Sequence, residues 1–307
     1  MPDNAKPAYV YPRLSSQLDL GAVRIAGAGL GNSMLNYFEA YLHARAIGAQ
    51  LIAPAWLSVK IGPIIRREQS YRLYNGLFQV PADELQGLAK MFALRHKLTG
   101  PWTRHRLSSS ADLESNGKID VVKTRKYIFE NIYPHKDVVR ERLQKMSCAP
   151  IASGDWGNGD YIAVHVRLGD FQAVSEADLQ KGVRNNLRIP LNWYRRMILE
   201  LRRLAPQYRI DVFSDGREAE LAELLNIEGV ALKRGGSDLE DMLGLAKCRL
   251  LVGSLSTFSY WGAYLGDQPS IWYETASRVE PLNSDPSKQI VIGDNVSALA
   301  AVANLLK

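Results

Sequence analysis

A histidine, an arginine and an aspartate share one short run, Asp160-Tyr-Ile-Ala-Val-His-Val-Arg-Leu-Gly-Asp170. Its apolar part, Tyr161 to Val166, predicts a buried strand. Successive side chains on a strand point to opposite faces, so His165 and Arg167 share one face. Gly169 permits a sharp turn, and Asp170 leaves the sheet. An arginine planted at a strand end offers a planar fork for an anion such as phosphate. The plainer alternative is an Arg–Asp salt bridge closing the strand, with His165 a satisfied core histidine. Two more polar groups follow apolar runs: Ser214 and Asp215 after Tyr208 to Phe213, and Ser254, Ser256 and Thr257 after Leu250 to Val252. Hydroxyls ahead of a helix commonly serve as N-caps. With the N–H groups of the helix start they can also cradle an anion.

The elements that must position these residues can be read around them. In the second half, apolar runs at 161–167, 208–213, 230–232, 250–252 and 271–273 alternate with helical patterns at 192–204, 217–225 and 238–247 and from Thr257 onward. Ser237 with Glu240 three residues later makes a capping box. Alternation with short links predicts a parallel sheet wrapped on both faces. The carboxyl ends of such strands gather along one edge, so the three polar groups converge on one crevice. The polar loop 171–190 could cover that edge, and 296–306 predicts a terminal helix.

The first half is less regular. Residues 1–20 read as a loose arm, Ala22 to Ala26 as a strand, Asn32 to Ile47 as a helix stopped by Gly48, and Leu51 to Ala53 as a second strand. Gly27, Gly29 and Gly31 suggest a dinucleotide fingerprint, but Asn32 stands where its third glycine is needed. These glycines make either a tight turn or a helix start whose N–H groups face a ligand. Pro81 to Lys97 predicts a helix burying Leu85, Leu88, Met91, Phe92 and Leu94. Residues 107–118 read as a surface loop, Lys123 to Tyr133 as extended chain, and Arg104, His105 and Arg106 as a solvated basic loop. The small residues and glycines of 147–160 form a connector, so the chain divides into domains 1–150 and 151–307.

The 307 residues are 46% hydrophobic and 23% charged, with a net charge of +6. That composition is globular, and the surplus charge favours acidic partners. Cys148 and Cys248 alone give no disulfide framework or zinc cluster, which predicts a reducing, cytoplasmic setting. The start, Met-Pro-Asp-Asn-Ala-Lys, has no apolar run, so no secretory signal is expected. The uncharged run Leu250 to Gly266 is interrupted by Ser, Thr, Gly and Tyr, as in a strand leading into a helix rather than a membrane span. No nucleic-acid-binding motif is present, so nucleic acid is not an expected partner. The basic surface is compatible with peripheral contact with an anionic membrane face.

His165-Val-Arg-Leu-Gly-Asp170 resembles the H-x-R-x-G-D motif of glycosyltransferase family 11, the α-1,2-fucosyltransferases. Gly29-Leu-Gly-Asn-Ser-Met34 with Tyr37 is similar to that family's G-L-G-N-Q-M-x-x-Y. Phe213-Ser-Asp215, Glu240-Asp241 and Ser254-Leu-Ser-Thr-Phe-Ser-Tyr-Trp-Gly-Ala263 resemble its later segments, in the same order. The resemblance implies an α/β fold of GT-B type, with two Rossmann-like domains whose parallel sheets face a central cleft. It implies GDP-L-fucose as co-substrate, no cofactor, inversion at the anomeric carbon, and a glycan or glycolipid acceptor on the side of the first domain. Carried across, Arg167 holds the pyrophosphate and His165 lies beside the donor. Ser214, Asp215, Glu240, Asp241, Ser254, Ser256, Thr257 and Phe258 contribute to the donor pocket. Gly29, Gly31 and Asn32 face the cleft. Asp170 is the first candidate for a general base, with Glu240 or Asp241 the second. No D-x-D triplet is present, which points to a metal-free reaction with Arg167 in the electrostatic role. Three positions depart from the family pattern: Leu168 replaces an Arg, Gly216 an acidic residue and Ser33 a Gln.

Overall fold

A computed structural model of the chain describes residues 7–15, 18–59, 72–99, 101–126, 128–152, 154–169, 171–172, 187–275, 280–293, 302 and 306. The chain divides into two compact units, Met1–Ile151 and Ala152–Lys307. Both are α/β.

In the first unit the strands are β1 (Tyr9–Pro12), β2 (Leu18–Asp19), β3 (Arg24–Ile25), β4 (Gln50–Leu51), β5 (Ser58–Val59), β6 (Thr103–Arg106), β7 (Ala111–Ser115) and β8 (Ile119–Thr124). The helices are α1 (Leu30–Ile47), α2 (Gly87–Leu94) and α3 (Lys136–Met146). The main sheet runs β4-β1-β8-β7-β6, parallel across β4, β1 and β8 and antiparallel from β8 to β6. β2, β3 and β5 make a small separate sheet.

Several expectations change here. The supposed arm contains β1, an interior strand in which Val10 and Tyr11 are wholly buried. Its four-residue apolar run is typical of a strand buried on both faces, and the polar flanks obscured it. The β-loop-α-β unit therefore runs β1-α1-β4, and the expected strand at 22–26 is only the two-residue β3 within the intervening loop. The expected loop at 107–118 instead holds β7, turned back by Asn116-Gly117 with Gly117 at φ +78°. That dipeptide is a strong hairpin signal. Arg104, His105 and Arg106 lie on β6, a fully exposed edge strand. Finally, α2 is shorter than expected and buries only part of the expected face: Leu94 is buried, with Ala93 beside it, whereas Leu88, Met91 and Phe92 are exposed.

The second unit is built on β9 (Tyr161–Val166), β10 (Arg209–Ser214), β11 (Val230–Lys233), β12 (Leu250–Val252), β13 (Ser270–Tyr273) and β14 (Gln289–Ile292). Its helices are α4 (Leu191–Leu204), α5 (Glu218–Leu225), α6 (Asp238–Lys247) and α7 (Thr257–Gly266). The sheet order is β11-β10-β9-β12-β13-β14 with every pair parallel. Numbered within the unit this is 3-2-1-4-5-6, the doubly wound order with its switch point beside the first strand. β9 is that strand. Ile162, Val164 and Val166 pack into one core with Trp193, Met197, Ile198 and Leu201 of α4. Each such side chain, fully buried, contributes about 1.5–3 kcal/mol. This anchoring fixes where β9 ends.

Candidate functional site

His165 is the fifth residue of β9 and points away from the Val164 core, 4% exposed. Its Nδ1 lies 2.6 Å from Ser259 Oγ and 3.0 Å from Ser254 Oγ, and its ring is 5.2 Å from that of Phe258. Burial, and secondarily the charge of Arg167, depress its pKa to about 3 against a smaller opposing pull from Asp215. The imidazole is therefore neutral at physiological pH. It can hydrogen-bond to a ligand but brings no positive charge.

The three serines form a single network. Ser254 Oγ lies 2.9 Å from Ser256 Oγ and 3.1 Å from Ser259 Oγ, and Ser254 N–H donates to Ser259 Oγ at 3.0 Å. Ser256 is the N-cap of α7, accepting from Ser259 N–H at 3.4 Å. The hydroxyls expected to touch a ligand are thus largely engaged in fixing His165 and starting α7. Thr257 and Phe258, the first two residues of α7, have no internal partner for their N–H groups among the described residues. Those two donors, with the positive end of the helix dipole, are what the turn offers an anion. Ser259 is the residue that sequence reading missed. It sits one turn into an apolar helix, where a serine looks incidental.

At the tip of β9, Arg167 pairs with Asp215 at 2.6 Å and lies over the Phe171 ring at 5.4 Å. Asp215 Oδ1 also accepts the Leu168 N–H at 2.8 Å, so one carboxylate joins the ends of β9 and β10 and fixes the guanidinium. Ser214 Oγ donates to Val166 O at 2.7 Å and accepts the Gly216 N–H at 3.0 Å, a role in shaping the turn. Both carboxyl-end groups thus meet at β9. The salt bridge that closes the strand is made by the neighbouring strand's Asp215, while Asp170 and most of the 171–190 loop and the 296–306 segment lie outside the described residues.

Glu240 and Asp241 sit apart from this cluster, on the first turn of α6. Ser237 caps that helix through Glu240 N–H at 3.2 Å, leaving the Glu240 side chain exposed. Asp241 accepts the Gly235 N–H, and burial raises its pKa despite that bond. Arg234, whose charge pulls the Asp241 pKa down against that rise, donates to Gly216 O at 3.3 Å, at the end of β10.

In the first unit, Gly29 is the N-cap of α1, and a Cβ there would meet nothing closer than Tyr74 Oη at 3.9 Å. Asn32 Oδ1 is shielded from solvent and has no hydrogen-bond partner among the described residues. Gly31 is buried within the helix. Ser33, a departure from the family pattern, accepts a bond from the buried Arg24 at 3.1 Å, and Arg24 also donates to Leu14 O at 3.0 Å. Gly27 (φ +98°) lies so close to Arg24 that a Cβ would come within 2.8 Å of its guanidinium. The other two departures, Leu168 and Gly216, touch each other. Among the described residues no group of three or more His, Cys, Asp or Glu could hold a metal ion.

The sequence model described as "Glycosyl transferase family 11" matches residues 125–278, half of the chain. No curated protein matches it. Among solved structures, NodZ α-1,6-fucosyltransferase co-crystallised with GDP is 14% identical, over 91% of this chain and 100% of its own, at a TM-score of 0.46. The E. coli heptosyltransferase WaaC with ADP is 14% identical over 92% and 97%, at 0.40, and POFUT1 in complex with GDP is 12% identical over 88% and 99%, at 0.42. These likenesses are distant, whereas the family match spans β9 with its His165 and Arg167, Ser214-Asp215 and the serine turn into α7, and on that match the chain belongs to glycosyl transferase family 11.

Proposed function

We propose that this glycosyltransferase moves L-fucose from GDP-L-fucose to a glycan hydroxyl, O-2 of a galactoside being the first acceptor to test, with inversion at the anomeric carbon. One observation supports this above the rest. Arg167, oriented by Asp215 at 2.6 Å, stands at the carboxyl end of β9 in a 3-2-1-4-5-6 sheet, where a doubly wound fold binds nucleotides. In this reading the second unit takes the donor and the first presents the acceptor.

As the bond between sugar and diphosphate breaks, negative charge grows on the leaving GDP. Arg167 is held in place before that charge appears, as are the unpartnered N–H groups of Thr257 and Phe258. Preorganised donors of this kind stabilise the transition state more than the ground state. Neutral His165, fastened through Nδ1, presents its other ring nitrogen toward the donor. The acceptor hydroxyl loses a proton as it attacks, and Asp170 is the first candidate to receive it, ahead of Glu240 and Asp241. On the acceptor side, the open space at Gly29 and the unsatisfied Asn32 Oδ1 suit a ligand's approach to the start of α1.

Calorimetry with GDP, GDP-fucose, GDP-mannose and UDP-sugars, with EDTA present, tests the reading in wild type and Arg167→Ala. GDP-fucose is expected to bind most tightly and to lose most of that affinity in the variant. Preference for GDP-mannose would keep the transferase and change the sugar. Failure of every guanine nucleotide to bind would overturn the donor assignment.

A further inference from the structure

Helix α2 carries three large apolar side chains to solvent, where an ordinary surface helix carries polar ones. Leu88 is 79% exposed, Met91 52% and Phe92 63%, at the i, i+3, i+4 spacing of one helix face. Leu98, just beyond, is 89% exposed, and Leu20, next to the Gly21 that abuts Leu94 and Lys90, is 59% exposed. Contiguous exposed apolar surface of this kind marks a place of contact.

The stretch of chain that carries this face is one-sided in charge, although Asp19 and Glu114 stand near its lysines and arginines. Between Glu84 and Asp112 the sequence has no carboxylate but has Lys90, Arg95, Lys97, Arg104 and Arg106. Beside the helix lies a cavity of about 260 Å³ lined by Arg13, Lys97, Trp102, Arg104, Glu114 and Val121. Glu114 is already matched by Arg104 at 3.0 Å and Lys123 at 2.5 Å. Lys97 has no carboxylate partner among the described residues; its ammonium lies 4.6 Å from the Tyr11 ring centre. Burial holds its pKa below the ordinary lysine value, so an arriving anion would be welcome there.

We propose that this face docks on an anionic phospholipid bilayer, with Leu88, Met91, Phe92 and Leu98 entering the acyl boundary and the Lys97 cavity receiving a headgroup phosphate. An apolar wedge framed by cations is the chemistry of interfacial binding. A second copy of this chain fits poorly, because a two-fold contact would bring the same cations together. No helix among the described residues is long and apolar enough to cross a membrane, so the contact is a surface one. It does not depend on the identity of the donor.

The test is co-sedimentation of the full chain with vesicles of phosphatidylglycerol and phosphatidylcholine, against phosphatidylcholine alone, at low and high salt. Binding is expected only to the anionic vesicles. It should weaken at high salt, since the screening length falls from about 10 Å at 0.1 M to about 3 Å at 1 M. The double variant Leu88→Ser with Phe92→Ser should lose at least about tenfold, and Arg95→Gln or Lys97→Gln about fivefold each. All should retain GDP binding and circular dichroism. If the double variant precipitates, Met91→Ser reads the same face. Equal binding to neutral vesicles, or variants that bind like wild type, would overturn the proposal. So would a dimer that the double variant dissociates in a protein that ignores vesicles.

Discussion

Leu168 and Gly216 pack against each other at the ends of β9 and β10: a Cβ on Gly216 would lie 2.5 Å from Leu168 Cδ1. Leu168 is 4% exposed and belongs to the core of the second unit. Two departures from the family pattern are therefore one packing arrangement, an apolar contact at the carboxyl ends of two neighbouring strands. Gly216→Ala should force Leu168 to move and cost about 1–3 kcal/mol, the usual penalty for overpacking. Leu168→Ala alone should cost about 2–5 kcal/mol, and the double variant should lose less than the sum of the two, because the second change vacates the space the first requires. A double-mutant cycle by urea unfolding measures the coupling. Additive effects would mean that the two positions act separately.

His165 makes stability depend on pH in a known direction. Its folded pKa, depressed to about 3, lies below the ordinary histidine value of 6.5. The unfolded chain therefore binds the proton first. Its contribution is fully present above about pH 6.5 and is lost as pH falls toward 3, at up to about 1.4 kcal/mol per unit. His165→Asn should flatten that part of the stability profile, as read by denaturation at a series of pH values. The ring should also show no NMR titration between pH 5 and 8; a midpoint near 6.5 would contradict the buried neutral imidazole.

Ser259 holds both His165 Nδ1 at 2.6 Å and Ser254 N–H at 3.0 Å. Ser259→Ala leaves a buried donor without a partner, a loss of about 1–3 kcal/mol. Ser254 remains 3.0 Å from the same ring nitrogen, so the imidazole should be loosened rather than freed. The expected signature is a fall in kcat with little change in KM for the donor, partly rescued by Ser259→Thr. A change confined to thermal stability would make Ser259 structural only.

How much could be read beforehand differed between the two units. In the second, strands buried on both faces left unbroken apolar runs, and short links put Arg167, Asp215 and Ser254 on one edge without any knowledge of side-chain contacts. Pairing was the illegible part. Nothing in sequence says that Arg167 meets Asp215, forty-eight residues later, since that contact follows from the parallel register of Ser214 with Val166. In the first unit, β2, β3, β4 and β5 have two residues each, too short for periodicity to declare them. β1 was hidden by its polar flanks. The apolar face of α2 was legible, but its direction was not, because a stripe of Leu, Met and Phe looks the same whether it meets a core or solvent.

Arg167 is the residue on which the proposed chemistry turns. Its side chain is 19% exposed, and the Asp215 carboxylate at 2.6 Å fixes the guanidinium where a diphosphate would arrive. Arg167→Ala should lower kcat/KM by about 10²–10³, the loss typical of removing one preorganised electrostatic group. Arg167→Lys should recover little, because an ammonium keeps the charge and loses the planar fork. Asp215→Asn is the more informative change. It leaves the arginine charged and retains an oxygen for the Leu168 N–H, but it removes the charge that orients Arg167. The expected result is a smaller fall, about tenfold, borne mainly by kcat. If Arg167→Ala and Asp215→Asn both lower stability yet leave GDP affinity and kcat/KM within about threefold of wild type, the pair only closes the strand end, and the donor phosphates must be held elsewhere.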